Sequence, residues 1–95
     1  MVEISRRNPG ECIEGKDDAI AYLNAAAETG DPTLLQVAIG DVAKARGMAQ
    51  VAEKSGMARE ALYKALRSDS QPRFETIARV CAALGVKLVA QPAHG

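Results

Sequence analysis

Four glycines divide most of this 95-residue chain into stretches whose apolar residues recur at steps of three and four positions. That recurrence places the apolar side chains on one face of an α-helix, and a glycine just past the last of them is a common helix stop. The glycines are Gly30, Gly47, Gly56 and Gly85. The pattern predicts an all-α domain built from five short helices.

The helices are predicted to fill residues 17–85, beginning near residues 17, 32, 48, 59 and 74. The clearest start is Asp31 followed by Pro32, because aspartate caps the first free N–H groups and proline suits the first helical position. Gly40 falls in the middle of the second helix, where glycine costs about 1 kcal/mol relative to alanine. A close approach by another helix would explain it.

The two ends of the chain lack this periodicity. Residues 1–16 are irregular, with VEIS as a candidate short strand, and residues 86–95 read as a strand, VKLVAQ, followed by a loose tail. A lone strand cannot satisfy its own backbone groups, so it needs an edge to pair with. Either VEIS or the same strand of a second copy would supply one. We expect the second arrangement, a homodimer with Val86, Leu88 and Ala90 at the interface.

Composition excludes several classes of protein. With one Phe, two Tyr and no Trp, the core must come from Leu, Ile, Val and Ala. Cys12 and Cys81 lie far apart, and His94 is the lone histidine, so we expect reduced thiols, no metal and no cofactor. The sequence shows no leader and no apolar run of about 18 residues, which predicts a cytoplasmic protein without membrane contact.

The segment VAEKSGMAREALYKAL, residues 51–66, predicts a helix-turn-helix. Ala52 is small where the two backbones approach, and Gly56 tolerates the positive φ of the corner. Two positions depart from the usual pattern: Ser55 is polar where an apolar residue is common, and Ala58 has no hydroxyl to cap the second helix. The predicted apolar anchors are Val51, Met57, Leu62, and Ala65 or Leu66.

With those anchors inward, the second helix of the unit presents polar side chains to solvent, where a DNA major groove would receive them. The predicted DNA contacts on it are Arg59, Glu60, Tyr63, Lys64 and Arg67. Gln50 and Arg46 are further candidates for phosphate contact. Glu60 could accept a hydrogen bond from cytosine N4, or it could form an ion pair with Lys64, four residues further along the helix. We favour the ion pair.

A formal net charge of zero does not exclude a polyanionic partner, because the charge is unevenly distributed. Residues 44–79 hold eight basic and four acidic residues, a balance of +4, and the rest of the chain holds four and eight, a balance of −4. A locally basic face can bind double-stranded DNA, and the acidic remainder should make that binding strongly salt-dependent.

Residues 17–89 resemble the antidote (antitoxin) proteins of bacterial addiction modules, which carry a Cro/repressor-type (Xre-like) helix-turn-helix. The resemblance rests on AYLNAA, on GDP before the second helix, on GMAQVAEKSGMAREALYKAL and on the F..I..V..ALG helix. Members often have serine where this chain has Ala49 and Ala58. The resemblance implies an antitoxin that neutralises a RelE/ParE-like toxin and represses their shared operon.

Two other functions stay open. The chain can be a DNA-binding regulator with no toxin partner, or a protein-interaction module that uses the helix pair only as scaffold. An enzyme is the poorest fit, because the sequence has one histidine in its tail, two distant cysteines, no Gly-rich phosphate loop and no paired-carboxylate signature. Asp17 and Asp18, adjacent in sequence, are better explained as a helix start.

Overall fold

The computed structural model describes residues 15–90 and residue 92, and these form five helices joined by short turns. The helices are α1 (Lys16–Glu28), α2 (Pro32–Arg46), α3 (Met48–Ser55), α4 (Arg59–Ala65) and α5 (Phe74–Ala83). The prediction of five helices is confirmed for this part of the chain. Their starts agree with the predicted ones to within one residue.

The C-terminal strand is not formed: residues 86–90 have no strand, and no other residue between 15 and 90 is paired as one. The Val86 N–H donates instead to the Cys81 carbonyl at 2.8 Å, which ties the chain back onto α5. A strand exists only through pairing, and the described part of this single copy offers no edge. VEIS, Cys12 and His94 lie outside the described residues.

Local chemistry explains where α2 begins and ends. The Asp31 side chain accepts a hydrogen bond from the Thr33 N–H at 2.9 Å, and Pro32 occupies the first helical position. Gly47, at a φ of 106°, ends α2 and starts α3 directly. The cap predicted at Asp31 is therefore confirmed.

The core is aliphatic, as composition predicted, and draws on every helix. Its buried members are Ala19, Leu23, Ala38, Ile39, Val42, Ala43, Met48, Val51, Ala52, Leu62, Leu66, Val80, Cys81 and Leu84. Phe74, the first residue of the F..I..V..ALG stretch, is by contrast 74% exposed. Phe74 is the first residue of α5, and the buried residues Cys81 and Leu84 lie at the other end of this helix.

The packing order leaves α4 at the edge of the molecule. The closest association is between α1 and α2, while α3 contacts α2, α4 and α5. Helix α4 packs chiefly on α3, so one of its faces meets the protein and the other meets solvent.

The approach predicted at Gly40 is present but is not tight. Gly40 is buried against the end of α4, and a Cβ built on it would lie 3.5 Å from both the Cβ and the carbonyl oxygen of Leu66. That separation is an ordinary van der Waals contact. The site therefore has room for a methyl group.

Candidate nucleic-acid interface

A left-handed glycine forms the corner between α3 and α4. Gly56 has φ 74° and ψ 19°, and the Met57 N–H bonds back to the Ala52 carbonyl at 3.0 Å. The left-handed conformation costs an L-residue about 1–2 kcal/mol, whereas glycine adopts it freely. The sharp bend predicted at this position is confirmed.

Buried side chains on both sides of the corner fix the two helices. Val51, Ala52, Leu62 and Leu66 are buried, and Met57 is half-buried. Ser55, the polar departure from the usual pattern, is buried too, and its hydroxyl donates to the Ala52 carbonyl at 3.1 Å. Because that bond lies within its own helix, the serine fills an apolar position without leaving an unsatisfied polar group.

The outer face of α4 carries polar and basic side chains. Leu62 is fully buried on the inner face, whereas Tyr63 is 43% exposed on the outer one. The exposed residues include all those predicted on this helix face, namely Arg59, Glu60, Tyr63, Lys64 and Arg67. All five are therefore accessible to solvent, four of them on α4 and Arg67 just beyond it.

The charges on this surface pair differently from the prediction. Arg67 lies just beyond α4 and forms an exposed salt bridge with Asp69 at 2.8 Å. Among the described residues, Glu60 and Lys64 do not form the predicted pair. An exposed ion pair contributes about 0–1 kcal/mol, so a phosphate can displace Asp69 from Arg67 at modest cost. Within residues 15–90, no acidic side chain forms an ion pair with Arg59 or Lys64.

The two remaining predicted residues lie apart from α4. Gln50 is exposed in the first turn of α3. Arg46 is half-buried, donates to the Leu84 carbonyl at 3.5 Å, and shares an open pocket with Lys16 and Lys54 at the end of α5. A cation near a helix C-terminus is favourable, which gives Arg46 a structural role that the sequence pattern did not indicate.

Sequence reasoning missed Arg73. This exposed residue directly precedes α5, where its side chain makes no capping hydrogen bond, and it shares with Lys64 a surface cleft of 580 Å³ between α4 and α5. Ser70, Gln71 and Thr76 also line the cleft, and no acidic residue does. The one signal in the sequence was a basic residue directly before a predicted helix.

It also missed Gln36, on α2. The side-chain amide of Gln36 donates to the carbonyls of Ala65 and Ser70, each at 3.2 Å, and to the carbonyl of Arg67. These acceptors are the end of α4 and the turn after it. No spacing in the sequence connects residue 36 with residues 65–70, so this contact exists only in the folded chain.

Two observations bear on other kinds of site. Cys81 is buried, and burial raises the pKa of its thiol, because desolvation disfavours the charged thiolate. Cys81 is therefore a core residue. Within residues 15–90, no helix combines the length and the apolar character needed to cross a membrane.

Comparison with known proteins assigns the chain to a family. Residues 3–92 match the model of a family described as "Probable addiction module antidote protein". The chain belongs to this family. A Haemophilus influenzae protein described as "Uncharacterized protein" is 36% identical over 81 residues, which cover 85% of this chain and 84% of the relative. No solved structure gave a significant match.

Membership supports part of the sequence interpretation. An antidote family indicates an antitoxin role and implies a cognate toxin as partner. Proteins of such a family are not typically enzymes. The family description names neither an operator nor a class of toxin.

Proposed function

We propose that this antidote-family protein binds operator DNA through α4 and represses transcription of its own toxin–antitoxin operon. Helix α4 would enter the major groove, where Arg59, Tyr63 and Lys64 reach base edges and phosphates. Arg67, Gln50 and Arg73 would add contacts to the phosphate backbone, and Glu60 would face the groove beside them.

One observation carries this proposal. A seven-residue helix is held from inside by the fully buried Leu62, behind a left-handed glycine turn, and every side chain it exposes, apart from that of Ala61, is polar or charged. An element kept only as scaffold has no need of a tyrosine and two cations, Arg59 and Lys64, that pair with no acidic side chain in the described part of the chain. The +4 balance of residues 44–79 supplies the attraction to phosphate.

The test compares two double variants of equal charge. Arg59→Ala with Lys64→Ala removes the proposed contacts, whereas Lys44→Ala with Lys87→Ala removes two exposed cations elsewhere. Binding to a duplex of the chain's own promoter is measured by fluorescence anisotropy across a salt series. We expect the first variant to lower affinity and to reduce the slope of log K against log salt by about 2.

The matched control separates a defined interface from general attraction. If both double variants lose the same affinity, binding is diffuse and α4 is not the reading element. If the wild type shows no preference for its own promoter over a shuffled duplex, the DNA-binding proposal fails, and the scaffold interpretation replaces it.

For the implied toxin we propose a RelE/ParE-like protein, following the family resemblance, and we assign it to the acidic side of the molecule. Asp17, Asp18, Glu28 and Asp31 are exposed on α1 and at the start of α2. Co-expression should rescue cells from the toxin with the Arg59/Lys64 double variant as well as with the wild type. Loss of rescue in that variant would place the toxin on α4 instead. Full promoter binding without any toxin partner would leave a simple DNA-binding regulator.

We further propose a cytoplasmic homodimer, since two-fold symmetry matches palindromic operators with half-sites about 34 Å apart. The residues of the predicted interface lie in a segment that forms no strand in the structure of the single copy. Leu88, Val89 and Ala90 are exposed, while Val86 packs against the core. Light scattering on the wild type and on Leu88→Glu tests this; a wild type that is monomeric at micromolar concentration refutes it.

A further inference from the structure

The C-terminal end of α4 is held by one side chain from a distant part of the sequence. The Gln36 Nε2 lies 3.2 Å from the carbonyl oxygens of Ala65 and Ser70 and 3.2 Å from the Ser70 hydroxyl, and it also donates to the Arg67 carbonyl. The Ser70 hydroxyl in turn donates to the Ala65 carbonyl at 3.0 Å. The end of α4 and the following turn thus converge on Gln36.

The chemistry of this cluster allows one orientation of the amide. Three of the four neighbours are carbonyl oxygens, which only accept, so the NH₂ group and not the oxygen of Gln36 must point at them. An NH₂ group has two hydrogens for these acceptors, so the bonds are shared. No other residue type of this size and neutral charge offers two donors at that reach.

Helix α4 needs such an anchor because it is short. Seven residues fall well below the length at which an isolated helix is stable in water, and the last carbonyls of any helix lack partners within it. The helix ends at Leu66 without a left-handed glycine. Apart from Leu62 and Leu66, its buried support at this end comes from α2, where Gln36 and Gly40 lie one turn apart on the same face.

We propose that Gln36 is a positioning residue that sets the pose of α4 and thereby the selectivity of DNA reading. This inference rests on the proposed DNA-binding function. Gln36 makes no DNA contact itself; it fixes the angle at which Tyr63 and Lys64 are presented. A helix released at one end keeps its charge, so its attraction to phosphate survives while its alignment with base edges is lost.

The first test uses Gln36→Met, which keeps the length and the neutral charge but has no donor. Its control is Thr33→Val, a change on α2 in the same surface groove that removes a hydroxyl making no contact with the end of α4. Affinity is measured for a promoter duplex and for a shuffled duplex of equal composition. We expect Gln36→Met to lower promoter affinity about tenfold, equivalent to about 1.4 kcal/mol, with shuffled-duplex affinity unchanged. Equal losses on the two duplexes, or no loss, would overturn the assignment.

The second test is made on the protein without DNA, so its result does not depend on whether the proposed DNA-binding function is correct. The amides of Leu66 and Ser70 are bonded at the end of α4 and in the turn, to the carbonyls of Leu62 and Arg67. In Gln36→Met, their hydrogen exchange should quicken about tenfold while that of Val51, on α3, stays constant. Unchanged exchange at Leu66 and Ser70 refutes the anchor. If the wild type does not discriminate between the duplexes but exchange quickens, the anchor stands and the DNA role falls.

Rescue by a second donor completes the design. Gln36→Lys places an ammonium with three hydrogens among the same oxygens, so the promoter-to-shuffled affinity ratio should stay within about threefold of wild type. Taking the ratio removes the effect of the added charge, which raises binding to both duplexes. A folded Gln36→Lys protein that has lost this ratio would contradict the proposal, even if Gln36→Met does not fold.

Discussion

Replacing Gly40 by alanine should stabilise the protein. The helix interior favours alanine over glycine by about 0.5–1 kcal/mol, chiefly because glycine leaves the unfolded chain more freedom. The added methyl group would lie 3.5 Å from the Cβ and the carbonyl oxygen of Leu66, a normal contact distance. No steric term therefore offsets the gain, and α4 need not move.

The size of the effect follows from the size of the domain. A change of 1 kcal/mol shifts the midpoint of thermal unfolding by about 4–8 °C in a domain of 60–100 residues. Urea unfolding followed by circular dichroism should show a higher midpoint with an unchanged slope. Promoter affinity should equal that of the wild type, since Leu66 keeps its place.

The matched substitution at Gly56 has the opposite sign. Gly56→Ala forces an L-residue to a φ of 74°, at a cost of about 1–2 kcal/mol, although the new methyl group would lie 3.8 Å from the Arg79 guanidinium, an ordinary contact distance. The opposite signs expected for Gly40→Ala and Gly56→Ala therefore come from the backbone conformation at each position and not from a steric clash. A lowered midpoint in Gly40→Ala would refute the reasoning, because it would mean that α2 and the end of α4 need the space that only glycine leaves.

Three further outcomes are expected. Leu62→Ala empties the fully buried anchor of α4 and should cost about 2–5 kcal/mol in urea unfolding, whereas Ala61→Ser on the exposed side should change little. Asp31→Ala should cost about 0.5–2 kcal/mol through loss of the bond from the Thr33 N–H, and Asp31→Asn should retain most of the stability; equal losses would exclude capping as the cause. In a Cys12→Ser background, Cys81 should react with a thiol reagent only after denaturation, because burial both shields the thiol and raises its pKa; rapid labelling of the native protein would contradict the buried position. Because the pKa of Cys81 is higher in the folded state, the free energy of unfolding should fall as the pH rises above the pKa of the unfolded thiol.

Much of the α4 surface was predictable from local pattern. In a helix, Leu62 points to a different side from Tyr63 and Lys64. Because the apolar side of a surface helix packs on the core, the sequence predicts that Leu62 is buried and that the other two are exposed. The corner was predictable for a similar reason, since Gly56 is the residue that can adopt the left-handed conformation. Ser55 looked like a defect, and only the fold shows its hydroxyl bonded within its own helix.

Ion pairs and strand pairing were not predictable from local spacing. The Glu60–Lys64 pair satisfies the helical spacing but is absent, and Arg67 pairs with Asp69 instead, because the helix ends before Arg67 and the turn brings Asp69 near. The strand at residues 86–90 failed because pairing needs an edge, which no local pattern provides.

The sequence by itself determined the five helices, the glycine that ends each of them except α4, and the polar face of α4, since each depends on neighbours within a few residues. Tertiary structure alone decided that Gln36 holds the end of α4, that Gly40 has room to spare, and that Arg46 and Arg73 lie where they do. Those facts depend on which surfaces meet after the chain has folded back on itself. Helix periodicity fixes what each face contains, whereas packing fixes what each face touches.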